Sequence, residues 1–317
     1  METFYYFCNS AFDGLNVLLA NIIMKILIAI SSKEYSGPTL DVGMNIARAI
    51  QSSTTIVDVG QKISEFSLKD VSMANEVMES WDIDRPGVDV LEWAYNYLSE
   101  NQFIEEQALK DGFPKNVLIE SGTGRAEVLL KGSALENLSM ILRNGDIIKE
   151  LRDEVNTHEY DLTIIGGSGK RSMAHDMIQY IDSSIFVVNN FNINENYKIL
   201  LAVDDSPGTA KAVKYGVRVA QAFNIKVELI TISKDKHLVE ENKKASDYAA
   251  KMMRRSGVEA QRIFKTGDPV DTIIETAGTN RIIIMGASSQ SPITKFFMGS
   301  KPLNVMENCN CPVLIVK

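Results

Sequence analysis

Two segments of this chain carry residues whose types and spacing could do chemistry. The apolar run 198–203 ends at Asp204. A second apolar run, 281–285, leads into Gly286-Ala287-Ser288-Ser289, and after nine intervening residues Gly299-Ser300 opens a helical stretch. If both runs are strands of one doubly wound sheet, both segments lie beyond its carboxyl ends, where such sheets hold ligands. The chemistry would be anion binding. Free backbone N–H groups and the positive end of the helix dipole at Gly299-Ser300 suit a phosphate. Glycine lets the main chain come close to it, and Asp204 would accept hydrogen bonds from a base or a ribose. The plain alternative is that the same glycines and serines only make turns. The residues alone leave both open.

The elements that must position these residues follow from periodicity. The run 198–203 is continuously apolar, as in a strand buried on both faces. Asp204-Asp205-Ser206-Pro207-Gly208 is turn chemistry, after which Ala210, Val213, Val217 and Ala220 recur at helical spacing. Strands are expected at 226–232, 258–264, 281–285 and 313–316. Helices are expected around Ala245, Tyr248, Ala249 and Met252, from Asp268-Pro269 to about 276, and from Ser300. Asp268 suits an N-cap and Pro269 the first helical position. The reading is β-α-β-α-β-α-β-α-β, an α/β fold with an open, parallel, five-stranded Rossmann-like sheet.

That unit occurs twice. Residues 24–60 align without a gap on 197–233, each 173 positions later, so that Gly43, Ala47 and Ala49 fall on Gly216, Ala220 and Ala222. Two copies of a strand–helix–strand unit imply two domains in tandem. The expected division is 1–23 as an extension or a misassigned start, 24–189 as the first domain, 190–196 as a linker and 197–317 as the second. The first copy carries an enlargement within 60–145 that holds both tryptophans, Trp81 and Trp93. Within it, 88–110 looks helical and 117–130, with Gly122 and Gly124 between apolar runs, has the form of a hairpin. The first copy has Gly166-Gly167-Ser168-Gly169 after its fourth strand, but Ser31 in place of Asp204 and no equivalent of Gly299-Ser300.

Composition excludes several classes. A net charge of −8 over 317 residues argues against a nucleic-acid partner. Residues 1–23 contain no Lys or Arg, unlike a signal peptide, and Asn9, Asp13, Asn16 and Asn21 interrupt them too often for a membrane span. The three cysteines, Cys8, Cys309 and Cys311, form no disulfide framework, and Cys309-Asn310-Cys311 is too tight for a zinc pair, so a reduced, cytoplasmic setting fits. His158, His175 and His237 show no metal spacing. Gly169-Lys170-Arg171-Ser172 lacks the Ser or Thr that a P-loop needs directly after its lysine. Neither a nucleophile elbow nor a convincing general base is present.

An Asp after the first strand, Gly286 and Gly299-Ser300 around a glycine loop after the fourth, and a Cys311-Pro312-Val313-Leu314 last strand together resemble the universal stress protein family. The resemblance covers 197–317 fully and 24–189 with the enlargement, so the chain looks like a tandem member. It implies ATP or a related adenine nucleotide as the ligand of the second domain, for which the complete glycine motif is needed. Carried over, Val203 and Asp204 would face the adenosine, and Ile232 would lie by the adenine. Met285 and Gly286 would begin the phosphate loop, Gly299 and Ser300 would hold the phosphates, and Lys301 would add charge. The chain departs from the motif at Ser289, where a glycine belongs, and Pro302 removes one N–H from the first turn of the anion-binding helix. The resemblance also implies pairing of the two domains as a pseudo-dimer through 185–188 and 313–316. The alternative is a scaffold that binds no nucleotide and acts through an unidentified protein partner at 60–145, with a slow ATPase ranked last; association of the whole chain as a homodimer stays open, and no membrane association is expected.

Overall fold

The computed structural model describes residues 23–60, 87–104, 113, 119–121, 125–130, 138–167, 171–233, 240–287 and 300–317. The expectations for 1–22, Trp81, Gly122, Gly124, Ser168, Gly169, Ser289 and Gly299 fall outside them. The first half runs β1 (Lys25–Ile30), α1 (Lys33–Ile50), β2 (Ser53–Gly60), α2 (Val88–Glu100), β3 (Ile119–Ser121), β4 (Arg125–Leu130), β5 (Leu138–Asn144), α3 (Ile147–His158), β6 (Leu162–Gly166), α4 (Arg171–Tyr180) and β7 (Ser184–Val188). The second half runs β8 (Lys198–Ala202), α5 (Pro207–Phe223), β9 (Val227–Ser233), α6 (Glu240–Arg255), β10 (Ala260–Thr266), α7 (Pro269–Ala277), β11 (Arg281–Gly286), α8 (Ser300–Asn308) and β12 (Val313–Val316).

These strands form one sheet in the order β10-β9-β8-β11-β12-β7-β6-β1-β2-β5-β4-β3. The α/β class with a mostly parallel sheet stands, but the two five-stranded sheets of the sequence reading are a single sheet of twelve strands. One cause is the pairing of the last strands that the resemblance implied, and the other is the hairpin. The last strands of the halves meet antiparallel, with Val313 opposite Val187 and Ile315 opposite Ile185. The hairpin β3–β4, pairing Ile119 with Glu127, then adds to β5, where Val128 lies opposite Met140. The helix expected over 88–110 stops at Glu100. Gln102 takes a left-handed φ of 58° and the N–H of Phe103 closes on the Leu98 carbonyl at 2.8 Å, which turns Phe103 into the core. No helix among the described residues is long and apolar enough to cross a membrane.

Helices cover both faces. Leu40, Leu91, Val213 and Ala249 bring α1, α2, α5 and α6 onto one apolar layer, and Leu151, Met177, Ile273 and Val305 bring α3, α4, α7 and α8 onto the other. The spacing of helix and strand repeats between the halves. A Cβ on Gly43 would stand 2.4 Å from Ile28 Cδ1, and one on Gly216 2.6 Å from Leu201 Cδ1. The two glycines and the two aliphatic residues are each 173 positions apart. Across the halves α1 packs on α5 and α4 on α8, with His175 Nδ1 2.7 Å from Glu307 Oε1.

Among the described residues the first half buries two carboxylates, and they are accommodated in opposite ways. Glu154 on α3 has no exposed surface and is surrounded by donors. Arg143 Nη1 donates to it at 2.8 Å, Arg125 Nε at 3.2 Å and the Tyr160 hydroxyl at 3.2 Å. Arg125 comes from the hairpin, so the added strands both cover the pair and complete it. The corresponding positions of the second half hold Lys265 and Thr276, joined by a neutral-acceptor bond of 2.9 Å. There β10 is the edge of the sheet, and water screens what β4 buries in the first half. Asp58, at the end of β2, is 3% exposed and has no cation among its partners in the described residues. Burial, reinforced by the nearby Asp89, raises its carboxyl to about 7 against the opposing Val59 N–H.

Two outcomes follow from these contrasts. Glu154→Ala leaves Arg143 and Arg125 without their shared carboxylate and should destabilise the protein by about 3–5 kcal/mol, read from urea unfolding. For Asp58 the folded state keeps its proton after the unfolded chain has released one near pH ~3.9. Its contribution to stability is therefore fully present below about pH 4 and is lost as pH rises to about 7. Asp58→Asn should raise the melting temperature at pH 8 and flatten its dependence on pH between 5 and 8. An unchanged slope in the variant would contradict this assignment.

Candidate functional site

From β8 the chain moves outward to β9 and β10, then returns to add β11 and β12 on the other side of β8. The order reverses between β8 and β11, which pair in parallel with Ile284 beside Leu201. Such a reversal opens a crevice at the carboxyl ends of the two strands. Val203-Asp204 leaves β8 and Gly286-Ala287 leaves β11 at that crevice. Val203 is buried, its N–H bonded to the Ile230 carbonyl at 2.9 Å, whereas Asp204 is exposed.

The Asp204 carboxylate is fixed by the turn that follows. Oδ1 accepts from the Ser206 N–H at 3.1 Å, the Ser206 hydroxyl at 2.5 Å and the Thr209 hydroxyl at 2.7 Å. The Thr209 hydroxyl in turn accepts from the Asp204 N–H at 3.2 Å. Among the described residues Oδ2 accepts from none, so one carboxylate oxygen is committed to the turn and the other faces outward. The N-cap, Ser206, makes no cap bond with its own side chain, because its hydroxyl is turned to Asp204.

Gly286 meets a constraint that requires no ligand. A Cβ there would stand 2.5 Å from the Gly208 carbonyl carbon, and one on Gly208 would stand 2.8 Å from the Ala287 carbonyl oxygen. The first turn of α5 thus rests directly on the main chain at the end of β11. Gly208 is a residue that the sequence reading took only as part of a turn. The available signal was its place at the second position of a helix, where the turn itself has no use for glycine. Met285 is buried, and Ile232 at the end of β9 packs on the same apolar layer. Ser300 opens α8 and Lys301 is exposed in its first turn. The structure therefore brings Val203, Asp204, Met285 and Gly286 to one crevice, with Ile232 one strand away. Ser289 and Gly299 lie outside the described residues.

The first half repeats the scaffold without the acid. The Ser36 hydroxyl accepts from the N–H groups of Ser31 and Ser32 at 3.2 and 3.3 Å, as Thr209 does from Asp204. The N–H of Gly167 bonds the Val188 carbonyl at 2.9 Å, as Ala287 bonds Val316 at 2.7 Å. A Cβ on Gly167 would overlap the Asn189 side chain at 1.7 Å. Ser31 offers no carboxylate at the position of Asp204. In the enlargement Trp93 is partly buried on the core beside Tyr97, their ring centres 5.3 Å apart, so its role there is packing. At the opposite ends of the strands a cavity of about 300 Å³ is lined by Lys25, Ser53, Thr55, Ser139, His158 and Tyr160. The second half closes the same place with Glu228, which takes the position of Thr55. Burial works to raise the Glu228 carboxyl, but hydrogen bonds from Arg281 and Lys198 hold it below the usual carboxylate range.

Comparison with known proteins bears on the sequence of the second half and on the fold. Residues 196–317 match the sequence model of the universal stress protein family. A universal stress protein of Methanocaldococcus jannaschii is 27% identical over 156 residues, 44% of this chain and 90% of that protein. The crystal structure of a universal stress protein from Archaeoglobus fulgidus superposes with a TM-score of 0.55 at 15% identity, covering 92% of this chain and 96% of that one, a likeness of fold. A second universal stress protein from Archaeoglobus fulgidus, solved in complex with dAMP, is 20% identical over 38% of this chain and 98% of its own, with a TM-score of 0.32. Over its residues 196–317, this chain is similar to the universal stress protein family.

Proposed function

We propose that the chain is a cytoplasmic stress-response regulator whose second half binds ATP or a related adenine nucleotide as a signal. The observation that carries this reading is the crevice between β8 and β11, where the outward oxygen of Asp204 and the main chain at Gly286 come together. Asp204 would accept from the ribose or base, and Val203 and Ile232 would flank the adenosine. Met285 and Gly286 would lead into the loop through Ser289, while Gly299, Ser300 and Lys301 would meet the phosphates. Residues 24–189 would be a diverged copy of the same domain that holds no nucleotide, since Ser31 replaces the acid. The segment 190–196 would link them as an intramolecular pseudo-dimer. The described site offers no base or nucleophile beyond the carboxylates of Asp204 and Asp205, which favours a sensor over an ATPase.

The test is mass spectrometry of ligand released on denaturing the purified protein, followed by isothermal titration of ATP into the stripped chain. Copurified adenine nucleotide, or a dissociation constant in the micromolar range (about −8 kcal/mol), is expected. Asp204→Ala should weaken binding by about tenfold or more, roughly the 1.4 kcal/mol or more of a charge-assisted hydrogen bond. Ser289→Gly should tighten it by restoring close approach of the main chain. No released ligand and no heat at millimolar ATP would overturn the reading.

A further inference from the structure

At the end of α8 the chain turns through Cys309-Asn310-Cys311 into β12. The two sulfurs are bonded in the structure, with Cα atoms 5.5 Å apart. This departs from the expectation of separate thiols. The helix brings Cys309 into place through its N–H on the Val305 carbonyl at 2.9 Å, and the N–H of Cys311 points back at Cys309 Sγ at 3.3 Å. The two halves show why a sulfur pair stands here. The first half has Ile181 and Ser183 at the corresponding positions, and the buried Ser183 hydroxyl bonds Thr163 at 2.7 Å. In the second half the counterpart of Thr163 is Ile283, which offers no polar group. Cys311 finds its partner two residues away instead.

We propose that Cys309 and Cys311 form a reversible dithiol–disulfide couple that exchanges with low-molecular-weight disulfides. Cys309 is 6% exposed and Cys311 fully buried, so a dissolved disulfide reaches Cys309 first. The Cys309 thiolate attacks one sulfur of that disulfide, a mixed disulfide forms, and the first small thiol leaves. Cys311 then attacks Cys309 Sγ and passes its proton to the departing small thiolate, which closes the ring and releases the second small thiol. Two protein thiols are oxidised and one small disulfide is reduced to two thiols. In a thiol-reducing compartment the couple rests reduced, and a rise in small disulfides closes it. The closed turn also holds the Asn310 carbonyl, which accepts from Asn190 Nδ2 of the connection between the halves at 3.0 Å. The redox state of the couple thereby acts on the seam of the molecule. None of this depends on nucleotide binding.

The experiment uses the full-length protein, reduced, desalted and equilibrated with reduced and oxidised glutathione at graded ratios. Acid quenching, alkylation and peptide mass spectrometry then read the segment containing 309–311. The two cysteines should lose alkylation together as oxidised glutathione rises and regain it with dithiothreitol. Cys311→Ser should accumulate a glutathione adduct at Cys309, and Cys309→Ser should give far less adduct at the buried Cys311. The wild-type titration stands whether or not either variant folds. Both thiols staying alkylatable at every ratio in the native protein, while the urea-unfolded chain closes the disulfide, would overturn the proposal. So would a stable glutathione adduct in the wild type with no intramolecular bond.

Discussion

The antiparallel pairing of β7 with β12 is the constraint on which the rest of the molecule depends. Each strand would otherwise be an uncovered edge of a very apolar sheet, and exposed edges of that kind invite unwanted pairing. Joined, they turn two open sheets into one and leave Ile185, Phe186, Val187, Val313, Leu314 and Ile315 fully buried. The pairing also sets α4 beside α8 and α1 beside α5. Lys317 Nζ, carried just past β12, caps the Ile178 and Ile181 carbonyls at the end of α4, where burial lowers its ammonium to about 8. Each half completes the other.

The two halves agree in distances more strictly than in residues. Gly43 and Gly216 keep a helix against a strand at the same separation, and Ser36 and Thr209 receive the same backbone N–H after the first strand. Around that common frame the halves have diverged in chemistry. One kept an acid at the switch point, while the other put Asp58 into an apolar setting and built the Glu154 cluster beneath its added strands. A buried ion pair is costly unless its hydrogen bonds are satisfied. The cluster exists where the hairpin excludes water and is absent where β10 lies open.

What could be read in the sequence were the features written locally. The apolar runs gave the strands of the second half to within two residues, and Asp268 does cap α7, accepting from the Val270 N–H at 2.9 Å. The hairpin was legible from its two apolar runs and the glycines between them. What could not be read depends on partners far apart in the chain. Gly208 needs Gly286, Arg125 needs Glu154, and Arg143 looks like any polar residue until β4 is laid beside β5. The extent of α2 was misjudged because the turn that ends it is made by Asn101 and Gln102, neither a strong breaker. Of the candidate site, Asp204 and Gly286 were visible as types and spacing. The Thr209 hydroxyl that orients the acid was hidden within a helical pattern.

The two ends of the sheet are unlike. One finishes in β3, three residues long. The other finishes in β10, a full seven-residue strand with Arg262 paired to Asp247 and Phe264 exposed. Copies joined antiparallel through β10 would meet about a twofold axis and use up that edge on both, so association through β10 alone closes at two.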